Sequence, residues 1–342
     1  MKTRWGRAFW LSAGLLVLAI GLSVTVGAVP VPLPVLARLL WAGLSGRAVP
    51  ASLPAYYHTI VFDLRLPHTV LMLLTGAALG SSGAAYQGVF RNPLADPYLL
   101  GIASGAGLGA VLMLAIHRPA GWGGVLALPV AAFVGAVLTV ALVYALAQVE
   151  GRLPTTTLIL AGVAIGSLAS ALTSFLMLES EGTLQRAITY LMGGAPLSGW
   201  QPVLAMLPYW LVGQAGLLLS GHALNVLQFG EEQAQHLGLN ARRAKALILA
   251  AASLTTAVAV AFAGIIGFIG LVVPHVVRLL WGEDYRREVP LSLLGGATAL
   301  LLADLLARTL LAPRVLPVGI VTALFGAPFF LWVLRRARPT AT

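Results

Sequence analysis

The sequence contains no cysteine, only two lysines, and charged residues at just 9% of its 342 positions. Without cysteine there is no disulfide, thiolate nucleophile or thiolate metal site, and the redox compartment stays open. Neither Lys2 nor Lys245 sits in a G-x-x-x-x-G-K-[ST] loop, which excludes P-loop binding of ATP by this chain. No H-E-x-x-H or paired-histidine metal spacing occurs; His58, His68, His117, His222, His236 and His275 are dispersed. A G-x-S-x-G nucleophile elbow is also missing. With charge this sparse, against about 25% in an average soluble domain, the chain cannot coat itself with water-compatible surface.

What the sequence has instead is apolar length. Hydrophobic residues make up 59%, and 38 glycines and 20 prolines lie largely within the apolar stretches. That mixture is tolerated in membrane helices, where close packing of neighbours satisfies the freed backbone groups. The formal charge of +10 could suggest nucleic acid, but the basic residues cluster at the ends of apolar runs, as membrane flanks do. The opening MKTRWGRAFW has the basic start of a signal peptide. Its apolar run from Ala8 to Val29 exceeds the ~7–15 residues of a cleavable core, so it is read as a retained span.

A bilayer core of about 30 Å needs about 20 apolar residues per helix. Spans are therefore predicted at 8–29, 66–86, 98–116, 124–147, 156–178, 200–220, 244–263, 264–281, 289–311 and 315–334, an all-α polytopic fold in one transmembrane domain covering 1–342. From Ala244 to Trp281 no polar linker marks a turn. As a single helix those residues would run about 57 Å, too long for one crossing, so a break is placed at Gly264, Gly267 and Gly270. Ten spans with both termini cytoplasmic leave seven of the 21 Lys and Arg outside: Arg38, Arg47, Arg65, Arg118, Arg186, Arg308 and Arg314. Merging spans seven and eight would put eleven outside and erase the positive-inside bias. The first outer loop, 30–65, carries five prolines and is a poor candidate for one regular helix.

Intramembrane carboxylates look nearly absent, with Asp304 the one clear case; Arg308, four residues on, can neutralise it on one helix face. That scarcity weighs against an ion-coupled secondary transporter, the reading from another class. Between spans six and seven, residues 222–240 read as two short helices. Gly230 opens the second, Glu231 and Glu232 occupy its first turn, and Gly238 closes it. Such an elbow suits the docking of a motor subunit, although an ordinary amphipathic loop would look the same.

This elbow joins LRLPHTVLMLLTGAALGSSGAAYQGVFRNPLADPYLLGIASGAG (64–107), GIIGFIGLVVPHVVRLLWGEDYR (264–286) and LPVGIVTALFGAPFFLWVLRR (316–336). Together they resemble the FecCD-type permeases, membrane subunits of bacterial ABC importers for iron-siderophores, haem and cobalamin. The resemblance implies the ten-helix type II permease fold, in the inner (plasma) membrane, paired with a second copy of the chain. It also implies two cytoplasmic ATPase subunits that use ATP and Mg, no cofactor on this chain, and a periplasmic or lipid-anchored substrate-binding protein. By position it assigns binding-protein docking to Arg65 and Arg308, and to His68, where the family usually has a second arginine. Cytoplasmic gating falls on Thr155 and Thr156, which could equally cap their helix. ATPase coupling falls on Gly230, Glu231, Glu232 and Gly238. Residues 179–199 resemble a short outer helix bordering the passage, ended by Gly193 and Gly194. The expected cargo is an iron chelate, with haem and cobalamin as alternatives.

Overall fold

The structure is a computed structural model that describes residues 2–45, 53–116, 124–148, 153–179, 184–194 and 197–336. Among the described residues all regular structure is helical. The helices are α1 (Lys2–Thr25), α2 (Leu33–Ser45), α3 (Tyr56–Phe90), α4 (Ile102–Ala115), α5 (Ala127–Ala147), α6 (Thr155–Glu179) and α7 (Leu184–Leu191). They continue with α8 (Trp200–Leu219), α9 (Gly221–Leu227), α10 (Glu231–His236), α11 (Ala241–Ala263), α12 (Ile269–Trp281), α13 (Tyr285–Thr309) and α14 (Val318–Arg336). Seven helices, α1, α3, α5 with its leading turn, α6, α8, α11 and α13, are long and apolar enough to cross a membrane. The remaining expected spans are the shorter apolar helices α4, α12 and α14.

Glycine sets how closely the central helices approach. A Cβ on Gly76 of α3 would lie 2.3 Å from the Gly296 carbonyl oxygen of α13, and one on Gly296 would lie 2.2 Å from the Gly76 oxygen. The same reciprocal contact joins α4 and α5, where a Cβ on Gly135 would stand 2.3 Å from the Gly105 oxygen. Between lipid-embedded helices there is no hydrophobic drive, so backbone-to-backbone packing of this kind supplies the adhesion.

The continuous apolar run breaks where the glycines suggest. Helix α11 stops at Ala263, Gly264 takes φ +81°, and α12 begins at Ile269, so Gly264 and Gly267 lie in the break while Gly270 lies in α12. Non-helical backbone at membrane depth is tolerated only where protein satisfies it. Here Tyr98 Oη donates to the Ile266 carbonyl at 2.8 Å and accepts from the Ile266 N–H at 3.1 Å. The Tyr190 carbonyl at the end of α7 accepts from the Ile265 N–H at 3.3 Å.

Several elements differ from expectation. The second span starts at Tyr56, not at 66, because a π-helical stretch, Thr59–Arg65, runs straight into it. Pro67 has no N–H to donate, and the wider turn, with Leu66 N–H reaching the Val61 carbonyl, absorbs that defect. The outer loop holds a helix, α2, whose Pro34 occupies the first turn, where no intrahelical donor is needed. The third span starts at Ile102, not 98, because Pro97–Leu100 forms a 3-10 turn capped by Asp96 and closed by Gly101 at φ +74°.

Candidate functional site

At one end of the bundle, three helices meet around Asp304, which is 4% exposed. Arg308, one turn on in α13, donates from Nε to Asp304 Oδ2 at 2.9 Å, as the i, i+4 spacing predicts. His68 of α3 meets the other oxygen, Oδ1, at 2.9 Å, a partner 236 positions away that no local pattern announces. Arg308 also reaches the Ser23 hydroxyl of α1 at 3.1 Å, and Ser23 in turn bonds Thr69 at 2.9 Å. A cavity of about 320 Å³ opens beside His68 and Asp304, walled by Thr189, Gly193 and Gly194 of the α7 turn and by the start of α14.

Arg65 stands apart from that trio. Its guanidinium donates to the Val24 and Thr25 carbonyls at 2.8 and 3.1 Å and also to Val29, closing the end of α1 where last-turn carbonyls lack intrahelical partners. Gly27 makes room, since a Cβ there would lie 2.7 Å from Arg65 Nη2. The docking candidates thus divide between a helix cap, Arg65, and a shared carboxylate, His68 with Arg308.

At the other end lies the elbow of α9 and α10. Gly230 at φ +101° precedes Glu231 and Glu232, and Gly238 at φ +83° follows, the order expected from sequence. Glu231 pairs with Lys245 of α11. Asn240 accepts from the Arg243 N–H at 3.0 Å and so caps α11. The elbow is bolted to α13 by a two-way bond. The Asn225 amide donates to Asp284 at 2.6 Å, while its carbonyl oxygen accepts from the Tyr285 N–H at 2.9 Å. Burial pushes the Asp284 carboxyl up, but the Asn225 amide, the Arg286 N–H and the Arg287 and Arg286 charges outweigh it and hold the group below its ordinary value. Phe229 and Leu237 project from this elbow, each 66% exposed.

A second buried carboxylate, Glu288, corrects the expectation that Asp304 stands alone. Glu288 is 1% exposed in the first turn of α13. Arg278 of α12 bridges it at 2.7 Å to the Gln87 side chain of α3, also 2.7 Å away. The boundary placed at 289 left Glu288 in a loop and hid it. Thr155 and Thr156 are the first two residues of α6, one half-buried and one exposed, and the Pro154 carbonyl before them accepts from the Leu158 N–H at 3.0 Å. Between α3 and α4, Asp96 accepts from the Tyr98 N–H at 2.7 Å, and burial raises its carboxyl to about 6. The topology residues Arg47, Arg118, Arg152 and Arg338 lie outside the described residues.

Known proteins resemble the chain along nearly its whole length. The cobalamin import system permease protein BtuC of Halobacterium salinarum is 45% identical over 323 residues, spanning 94% of this chain and 86% of that protein. The hemin transport system permease protein HmuU of Yersinia pestis is 39% identical over 334 residues, spanning 95% and 93%. A solved inward-facing structure, assigned to a metal-chelate type ABC transporter, superposes with a TM-score of 0.84 at 29% identity, over 97% of this chain and 99% of that one. The FecCD transport family matches residues 15–336. The chain therefore belongs to the FecCD transport family and is an ABC importer permease, a membrane-spanning transport subunit and not itself an enzyme.

Proposed function

We propose that this permease crosses the inner membrane ten times, pairs with a second copy of itself and imports an iron chelate by alternating access. Two cytoplasmic ATPase subunits use ATP and Mg, and push on the elbow; a periplasmic or lipid-anchored binding protein delivers cargo at the opposite face. Helices at all ten expected segments support the crossing number. Both termini then lie in the cytoplasm with the elbow, and the single domain includes it. Thr155 and Thr156, at the elbow-side end of α6, close the passage between the two copies, and the His68, Arg308 and Arg65 end receives the binding protein.

The observation that carries this reading is the elbow itself, which exposes Phe229 and Leu237 while Asn225 fixes it to α13. A surface both apolar and rigidly tied to a spanning helix can take a push and pass it on. Gly238 at φ +83° gives its N–H to the Gln235 carbonyl at 2.9 Å. Gly238→Pro fixes φ near −65° and removes that donor. In proteoliposomes with the partner ATPase, this variant is expected to hydrolyse ATP at the basal rate without ligand stimulation and to lose uptake at least about tenfold. Normal ligand-stimulated hydrolysis would count against the elbow as the coupling element.

The iron-chelate cargo is supported by the metal-chelate type assigned to the superposable structure. Cobalamin is the second reading, favoured by the 45% identity to a cobalamin permease. Measuring which of a ferric siderophore, hemin or cobalamin the cognate binding protein retains decides between them; retention of cobalamin alone would replace the cargo and leave the transporter class intact.

A further inference from the structure

A groove between α8 and α11 differs from two other apolar grooves among the described residues. It encloses about 690 Å³, against about 370 Å³ between α12, α13 and α14 and about 280 Å³ between α5 and α11. Those two hold no charged side chain. This one is floored by small residues, Gly213, Gly216, Ala244 and Ala251, and ends on Arg243 beside Asn240. Its lips are apolar and open outward: Leu219 is 84% exposed and Leu247 72%. Along α11 the groove runs from Arg243 to Leu254, about 16 Å at ~1.5 Å per residue. That is about half of a ~30 Å hydrocarbon core, the depth of one leaflet.

We infer that this groove is a binding site for an anionic phospholipid, whose acyl chain lies along α8 and α11 and whose phosphate meets the Arg243 guanidinium. Both walls are helices long and apolar enough to span a membrane, so lipid, not water, is the medium that fills the space between their exposed lips. Arg243 has no carboxylate partner among the described residues, whereas its neighbour Lys245 is paired with Glu231. A basic residue at the headgroup end of an interhelical groove selects negative headgroups. The side chain lies three residues beyond the elbow's end, so the bound lipid would pack at the root of the element proposed to receive the push. The leaflet is the cytoplasmic one on the orientation given above; the site itself does not depend on that orientation.

The test uses the full chain, purified in detergent and delipidated, titrated with dioleoyl phosphatidylglycerol or dioleoyl phosphatidylcholine and read by native mass spectrometry. Phosphatidylglycerol is expected to be retained more tightly, and Arg243→Gln to weaken its binding about fivefold while leaving phosphatidylcholine unchanged. Arg335→Gln, which removes an exposed charge elsewhere, is expected to leave the preference intact. Ala244→Trp, which fills the floor, is expected to weaken both lipids. Equal binding of the two lipids, a preference that survives Arg243→Gln or falls as far in Arg335→Gln, or undiminished binding in Ala244→Trp, overturns the site. None of these readouts involves transport, so failure here is distinct from failure of the coupling elbow.

Discussion

The two ends of α13 each bury a carboxylate beside an arginine, and the two solutions differ. Asp304 shares its oxygens between Arg308 on the same helix and His68 on α3, next to an open cavity. Glu288 faces Arg278 on another helix, and the same Arg278 nitrogen, Nη2, also donates to Gln87, whose amide reaches back to the Leu271 carbonyl at 3.2 Å. One cluster opens on a cavity and joins α1, α3 and α13. The other is a closed link among α3, α12 and α13, one turn from the elbow's anchor at Asp284. Under the proposed function, reversible contact suits the end that receives the binding protein, and a fixed link suits the end that takes the push.

The largest expected effect comes from breaking the closed link. Glu288→Ala strands a half-buried Arg278, and removing one partner of a largely buried pair costs about 3–5 kcal/mol. Thermal unfolding in detergent should show this, and Arg278→Met with Glu288→Leu should recover most of it. A loss as large in the double variant would mean that the charges matter beyond pairing. Asp304→Ala should cost less, about 1–3 kcal/mol, because Arg308 keeps both the carbonyl and the hydroxyl of Ser23. Equal losses at the two sites would erase the distinction drawn between them.

The smallest effect belongs to a carboxylate with no cation partner among the described residues. Asp96 is held at about 6 by burial, above the ~3.9 of an unfolded aspartate. The folded state therefore binds the extra proton between those values, and stability falls as pH rises through that window, then levels off above about pH 6. Asp96→Asn, which keeps an acceptor for the Tyr98 N–H, should remove the slope. Above pH 6 it should gain about 1–2 kcal/mol, discounted for the partial exposure of the site. A slope unchanged in Asp96→Asn would assign the titration to another group.

These clusters also mark where sequence reasoning reaches and stops. Apolar length located all seven helices long and apolar enough to cross a membrane, and glycine placed the break at Gly264, because both signals are local. The Asp304 and Arg308 pair is legible for the same reason, as are the turns at Gly230 and Gly238. The contact of His68 with Asp304, the Arg278 bridge and the use of Arg65 to close α1 depend on which helices become neighbours, which periodicity within one helix does not encode. Helix α2 and the early start of α3 were obscured by Pro34 and Pro67, whose helix-breaking reading fails at a first turn and beside a π-helical stretch.

Under the proposed function the elbow faces the compartment of the motor and the Asp304 end faces the other. The chain has no cysteine, so single cysteines report on this directly. Phe229→Cys in the elbow and Leu311→Cys in the turn after α13 are both at exposed positions, 66% and 57%. In sealed inside-out vesicles, with the chain expressed without partner subunits, a membrane-impermeant maleimide should label Phe229→Cys at once and Leu311→Cys only after detergent is added. Immediate labelling of Leu311→Cys, with Phe229→Cys protected, would contradict the account.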